Sequence, residues 1–230
     1  ANSMDLEKFI KTKTYKNLTD KQLAYIMFQI LDAMVKYEKL FVHKDIKPGN
    51  IVIDNKLNIR FIDFGFSCGI ELTKDNEKCL DMGVGTPGYK APEHYVNVCH
   101  SDPNCKTKDF EYIKKNRELV EQRYGKKPRG GLTHFSYEYW QNSDKWGVGS
   151  VLFRLANNGE YPNELLNDKG MGMFKGENVD FIEIEILRSQ LRKSHHSNKT
   201  FNQVIDELLV YPPWERISLE KARGMIMKIM

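Results

Sequence analysis

No run of apolar residues in this 230-residue sequence approaches the roughly 18 that a membrane-spanning helix requires, so no membrane partner is expected. Cysteine is sparse, with only Cys68, Cys79, Cys99 and Cys105, and no signal-peptide pattern opens the sequence as given. The expectation is a reducing, intracellular compartment, cytoplasmic or nuclear. Neither sign of charge dominates: 35 Lys and Arg against 31 Asp and Glu leave a net charge of +4, spread along the chain. That balance gives no electrostatic footprint for nucleic acid, and no nucleic-acid partner is expected. The abundance of Lys, Asn and Ile fits an AT-rich genome, such as that of a large DNA virus or a protist, which adds a host cell to the compartments considered.

What is present is the composition of an ordinary globular domain, 40% hydrophobic and 29% charged, long enough to bury one core. Thr19-Asp20-Lys21-Gln22 reads as a capping box, with Thr19 accepting from the Gln22 N–H and Gln22 reaching back. The helix it opens places Leu23, Ile26, Met27, Ile30, Leu31, Met34 and Val35 on one face, the stripe of a buried amphipathic helix. Ile51-Val52-Ile53 and Asn58-Ile59-Arg60-Phe61-Ile62, joined through Asp54-Asn55-Lys56, read as a short hairpin that brings Asn50 and Asp63 to one edge.

Three segments carry chemistry: His43-Lys44-Asp45-Ile46-Lys47-Pro48-Gly49-Asn50, then Asp63-Phe64-Gly65, then Gly85-Thr86-Pro87-Gly88-Tyr89-Lys90-Ala91-Pro92-Glu93. They offer a base for a hydroxyl, carboxylate and amide ligands for magnesium, and a platform for an acceptor peptide. Their order and spacing resemble the C-terminal lobe of a eukaryotic-type Ser/Thr protein kinase. Asp144-Lys145-Trp146-Gly147-Val148-Gly149 resembles that family's buried central helix, and Tyr211-Pro212-Pro213-Trp214-Glu215-Arg216 the segment whose Arg pairs with the Glu of Ala-Pro-Glu.

The resemblance implies a mainly α fold with a small β-hairpin: a kinase-like C-terminal lobe over residues 1–230, lacking the N-terminal β-lobe, with a hinge remnant at 1–5. It implies transfer of the ATP γ-phosphate to Ser or Thr hydroxyls of proteins, with ATP and Mg2+ as cofactors. Asp45 would be the base, Lys47 would steady the transferred phosphate, and Thr86 would bond both and favour Ser and Thr. Asn50 and Asp63 would ligate magnesium, and with Asp5 they make up the nucleotide side of the site. His43, Glu93, Arg216, Asp144 and Trp146 would be scaffold, with Glu93 and Arg216 a buried pair. Lys44 replaces the family's usual Arg, a point charge in place of a planar fork, which puts control by activation-loop phosphorylation at Ser67 or Thr73 in doubt.

No Gly-rich phosphate loop and no Val-Ala-Ile-Lys-like strand precede these motifs in the sequence. Gly83-Val84-Gly85-Thr86-Pro87-Gly88 fits the letters of a nucleotide loop but not its setting, since it follows no strand and opens no helix. This chain alone is therefore expected to be inactive without an N-terminal kinase lobe. The alternative is a pseudokinase or scaffold that uses the lobe for binding.

Glu93 and Asp144 stand 51 residues apart, so about 94–135 reads as an insertion, with a helix at 109–124 carried by Phe110, Ile113, Val120 and Tyr124. A docking partner on this segment is one reading of it; a flexible basic loop follows at 125–131. The traced core makes no use of the segment, so removing 96–131 is expected to leave the lobe folded. Cys99, His100, Cys105 and His94 lack the spacing of a structural zinc site, and His195-His196 reads as solvated surface.

Overall fold

The computed structural model describes residues 3–70, 85–86, 88–94, 118–126, 134–162 and 192–230. Their architecture is helical with small antiparallel sheets. A short strand β1 (Ser3–Asp5) leads into two single-turn helices, α1 (Leu6–Phe9) and α2 (Lys13–Lys16), and then into the long α3 (Asp20–Tyr37). Strands β2 (Phe41–Val42), β3 (Ile51–Asp54), β4 (Ile59–Phe61) and β5 (Cys68–Gly69) follow. Residues 118–124 are helical and run into β6 (Gly125–Lys126), which pairs with β7 (His134–Phe135). Helices α4 (Tyr137–Ala156), α5 (Lys199–Leu208) and α6 (Leu219–Met227) complete the described chain.

The capping box of α3 is formed: the Gln22 N–H donates to Thr19 Oγ1 at 3.3 Å and the Thr19 N–H to Gln22 Oε1 at 3.0 Å. The full expected stripe from Leu23 to Val35 is buried, facing α6 and the underside of the hairpin. The hairpin pairs Ile51 with Phe61 and Ile53 with Ile59. It is not isolated: β1 adds to its other edge, Asp5 opposite Val52, so the expected hinge remnant is a third strand.

Helix α4 starts seven residues before the expected Asp144 and is buried on nearly all sides, which leaves no polar stripe for a periodicity reading to detect. Its Gly147 has a packing reason: a Cβ there would stand 2.7 Å from Cβ of Ile46. Glycine in a helix interior costs roughly 1 kcal/mol against alanine, and here it lets the Ile46 segment lie directly on the helix.

Two clusters form the interior. The larger is mostly aliphatic and joins α1, α3, the hairpin, α4, α5 and α6. The smaller is aromatic and joins Val42, Cys68, Val120, Tyr124, Tyr139 and Trp140, with Trp214 packed against it. Val120 and Tyr124 confirm the apolar positions read in the inserted segment, but they are 1% exposed inside the lobe, which contradicts the expectation that the core makes no use of the segment. Residues 125–126 of the expected basic loop are strand; 95–117 and 127–133 lie outside the described residues, with Cys79, Cys99, His100 and Cys105. Cys68 takes part in a disulfide, a bond that the expected reducing compartment does not favour.

Candidate active site

The loop from His43 to Asn50 runs between β2 and β3 and rests on α4. Asp144 reaches up from that helix and accepts the backbone N–H groups of His43 and Lys44, at 2.6 and 2.9 Å. Burial pushes its carboxyl up to about 7, although both donors favour the ionised form. Lys44 turns the chain through the left-handed region at φ 67°, which costs a non-glycine residue on the order of 1 kcal/mol. Facing it, Gly85 has φ 101°, and a Cβ at Gly85 would stand 2.9 Å from the Lys44 carbonyl oxygen. Glycine alone suits both the backbone and the approach, which brings Thr86 to Asp45.

At Asp45 the expected residues converge. Oδ1 accepts from Thr86 Oγ1 at 2.7 Å, while Oδ2 accepts from Lys47 Nζ at 2.8 Å and from Asn50 Nδ2 at 2.9 Å. Lys47 also donates to Thr86 Oγ1 at 2.7 Å, closing a three-membered ring of contacts. Burial would raise the Asp45 carboxyl, but the bonds from Lys47, Thr86 and Asn50 and the Lys47 charge outweigh it and hold the group below the usual carboxylate range. An ionised carboxylate has about four acceptor positions, so one remains for a further donor such as a hydroxyl. The cavity that Asp45 and Thr86 line with Lys44, His94 and Asp144 is water-sized, too small for a substrate.

Asn50 closes the 3-10 turn Pro48–Asn50, and its carbonyl oxygen accepts from the Ile62 N–H at 2.9 Å, which ties it to the residue before Asp63. Its side-chain nitrogen is committed to Asp45 through the backbone oxygen and Oδ2, both at 2.9 Å, and this leaves its amide oxygen for a cation. Asp63 is exposed and left-handed, with φ 60°. One amide and one carboxylate oxygen fit magnesium, which completes its shell with waters and phosphate oxygens. Asp5 is occupied as the cap of α1, taking the Lys8 N–H at 2.8 Å and the Lys8 ammonium at 2.8 Å. Among the described residues no group of three or more His, Cys, Asp or Glu is placed to hold a metal ion.

The scaffold residues sit as expected. His43 is fully buried with its ring 5.1 Å from that of Phe64, and burial holds its imidazole below the ordinary value despite nearby Asp45. Arg216 forms a two-pronged pair with Glu93, both bonds 2.7 Å and both side chains without exposure, and donates at 2.7 Å to the Asn142 carbonyl. Ser67 points its hydroxyl at the His43 carbonyl, 3.5 Å away; Thr73 lies outside the described residues. His94 is buried and its Nε2 bonds Ser143 Oγ at 2.6 Å. His195 is exposed, but His196 is turned inward against Phe201, 5.0 Å between rings, and accepts from the Asn198 N–H.

Sequence reasoning missed two groups. Arg154, buried in α4, bonds both carboxylate oxygens of Glu7 and the Tyr89 hydroxyl, tying the Tyr89 segment to the start of the chain. An arginine inside the run Val151-Leu152-Phe153-Arg154-Leu155 was the available signal, because a buried charge requires a partner. Lys44 was read only for its charge, whereas its ammonium lies 3.8 Å from the centroid of the Trp140 ring.

Comparison with known proteins follows the same lines. Residues 1–107 match the family model described as protein kinase domain. A 77-residue stretch is 43% identical to the phosphorylase b kinase gamma catalytic chain, liver/testis isoform, of Bos taurus, covering 33% of this chain and 18% of that protein. A probable L-type lectin-domain containing receptor kinase S.5 of Arabidopsis thaliana is 28% identical over 174 residues, 74% of this chain and 25% of that protein. The serine/threonine-protein kinase PLK4 of Drosophila persimilis is 21% identical over 222 residues, 96% of this chain and 22% of that protein. The chain thus spans a quarter or less of the curated relatives it matches. Among the described residues no helix is long and apolar enough to cross a membrane.

Proposed function

We propose that this chain, whose residues 1–107 match the protein kinase domain model, acts as a eukaryotic-type protein kinase and transfers the γ-phosphate of ATP to Ser and Thr hydroxyls of proteins. The observation that carries the reading is the contact of Thr86 Oγ1 with both Asp45 and Lys47, at 2.7 Å each. In this reading the acceptor hydroxyl donates to Asp45 and its oxygen bonds to the γ-phosphorus as the bond to the ADP oxygen breaks. The hydroxyl proton passes to Asp45, and Lys47 offsets charge on the moving phosphoryl group. Magnesium, held by Asn50 and Asp63, would neutralise phosphate charge. Asp5 is proposed for the nucleotide side on the resemblance alone.

Activity is proposed to need an N-terminal kinase lobe to cover the nucleotide. The exposed apolar side chains next to Asp63 support this: Ile62, Phe64 and Phe66 are 40%, 43% and 47% exposed. The test is transfer of labelled γ-phosphate to Ser, Thr and Tyr peptides by the chain with and without such a lobe attached. Transfer to Ser and Thr in the joined protein, a drop of about 10²- to 10⁴-fold in Asp45→Asn, and negligible activity in the chain alone are expected. Equal turnover by Asp45→Asn removes Asp45 from the base role, and equal transfer to Tyr removes the role of Thr86.

A further inference from the structure

The residue before Asp45 is gripped at both ends by a single turn of α4. The Lys44 N–H donates to Asp144 at 2.9 Å, and the Lys44 ammonium lies 3.8 Å from the Trp140 ring centroid. Trp140 and Asp144 are four residues apart on one helix, hence on one face. Lys44 is only 8% exposed, so the contact between ammonium and ring is largely shielded from water, the setting in which such attraction is strongest. Trp140 has no room to swing aside. It is 3% exposed, its ring stands 5.2 Å from that of His94 and 5.0 Å from that of Tyr139, and Tyr139 is backed in turn by Tyr124 at 6.0 Å. An aliphatic side chain could fill that volume, but only a π face attracts a cation.

The geometry points to Trp140 as a positioning residue for the transfer, one that fixes Lys44 in its left-handed turn and thereby sets the direction of the Asp45 carboxylate. The inference rests on Asp45 being the base of the proposed reaction. It also gives the segment at 118–124 a task, because Tyr124 braces the aromatic stack from behind.

Three variants test it. Trp140→Leu removes the π face and keeps apolar bulk, Trp140→Phe keeps a smaller π face, and Lys44→Met removes the charge while leaving Trp140 packed. In the 230-residue chain with labelled lysine, one ε-methylene resonance should be displaced upfield by the ring current, should be absent in Lys44→Met, and should lose its displacement in Trp140→Leu. Amide exchange at Asp45, measured against the Ile30 amide, should rise about tenfold in Trp140→Leu and Lys44→Met and less than about threefold in Trp140→Phe. With an upper lobe attached, kcat should follow the same ranking while KM for ATP stays constant. If Trp140→Leu does not fold, Lys44→Met carries the test alone. Wild-type exchange at Asp45 together with wild-type kcat in Lys44→Met overturns the inference. So does a kcat loss that only tracks the unfolded fraction, since that is what plain packing would produce. If even the joined wild-type protein transfers no phosphate, the proposed function fails, whereas resonance and exchange still decide whether the clamp exists.

Discussion

The two clusters that flank the loop from His43 to Asn50 differ in how they are built. Under the hairpin the core is aliphatic, and much of it comes from one helix whose apolar residues recur at steps of three and one. Beside Lys44 the core is aromatic, and its members come from β2, β5, the helical segment at 118–124 and the first turn of α4, with Trp214 at its edge. The first exists because a single segment is amphipathic. The second exists only when distant segments meet, so its stability is shared among parts that look independent in sequence. Both reach the same loop: the larger holds Ile46 from below, and the smaller holds Lys44 from the side.

The comparison breaks most visibly if the smaller cluster is removed. Deleting 96–131 takes out Val120 and Tyr124, and with them the hydroxyl that accepts from Asn142 Nδ2 at 3.0 Å. Loss of one large buried aromatic costs about 3 to 5 kcal/mol, so the melting temperature should fall by roughly 10 °C or more. A shift of only a few degrees in thermal unfolding would show that the second cluster closes up without the segment.

Next in size is the pair that joins the two regions. Arg216 ties Glu93 to the first turns of α4, and Glu93→Ala would leave a fully buried guanidinium without its counter-charge. About 3 to 5 kcal/mol should be lost in urea unfolding, and a loss under 1 kcal/mol would mean that water enters to replace the carboxylate.

These two cases also show what a sequence reveals. The cluster of Asp45, Lys47, Asn50 and Thr86 was legible because the motif sets residue types at fixed spacings, and the stripe of α3 because a helix half in water must alternate. Asp5 was assigned from resemblance alone, and the structure finds it working as a helix cap. Helix α4 hid its true start because burial on all sides erases periodicity. Tyr124 was read as an apolar helix position, but the aromatic stack that it forms with Tyr139 and Trp140 was not, since nothing local to these residues specifies the neighbour each will meet.

A pH series separates the regions further. The buried His94 imidazole is held at about 3, first by burial and then by the charges of Lys90, Arg216 and Lys44. The unfolded chain, with an ordinary value of 6.5, therefore takes the proton first, so this contribution is complete above pH 6.5 and is lost as pH falls toward 3. Between pH 7 and 5 the loss should be about 2 kcal/mol. Asp144 works with the opposite sign: its raised value gives stability that is present below about 3.8 and lost as pH rises through about 7. Net slopes mix the two, so the measurement is the difference between wild type and His94→Leu in urea midpoints at pH 7 and pH 5. Parallel slopes would assign the pH response elsewhere.

The smallest effect belongs to the legible region and tests whether legibility implies independence. Thr19 and Gln22 cap α3 on an exposed surface, remote from the loop and from both clusters' contacts with it. Thr19→Ala removes one side-chain acceptor for the Gln22 N–H and should cost about 1 kcal/mol in urea unfolding. Because the helix beyond its first turn is held by buried Leu23 to Val35, faster amide exchange should be confined to the first turn and leave Lys44 and Asp45 unchanged. Tyr124→Phe, which removes a hydrogen bond of similar size, is the control from the other region, and there exchange should quicken at Lys44 through the aromatic stack. If the cap variant also loosens Lys44, the two regions open as one cooperative unit, and the contrast between a local core and an assembled one does not extend to their dynamics.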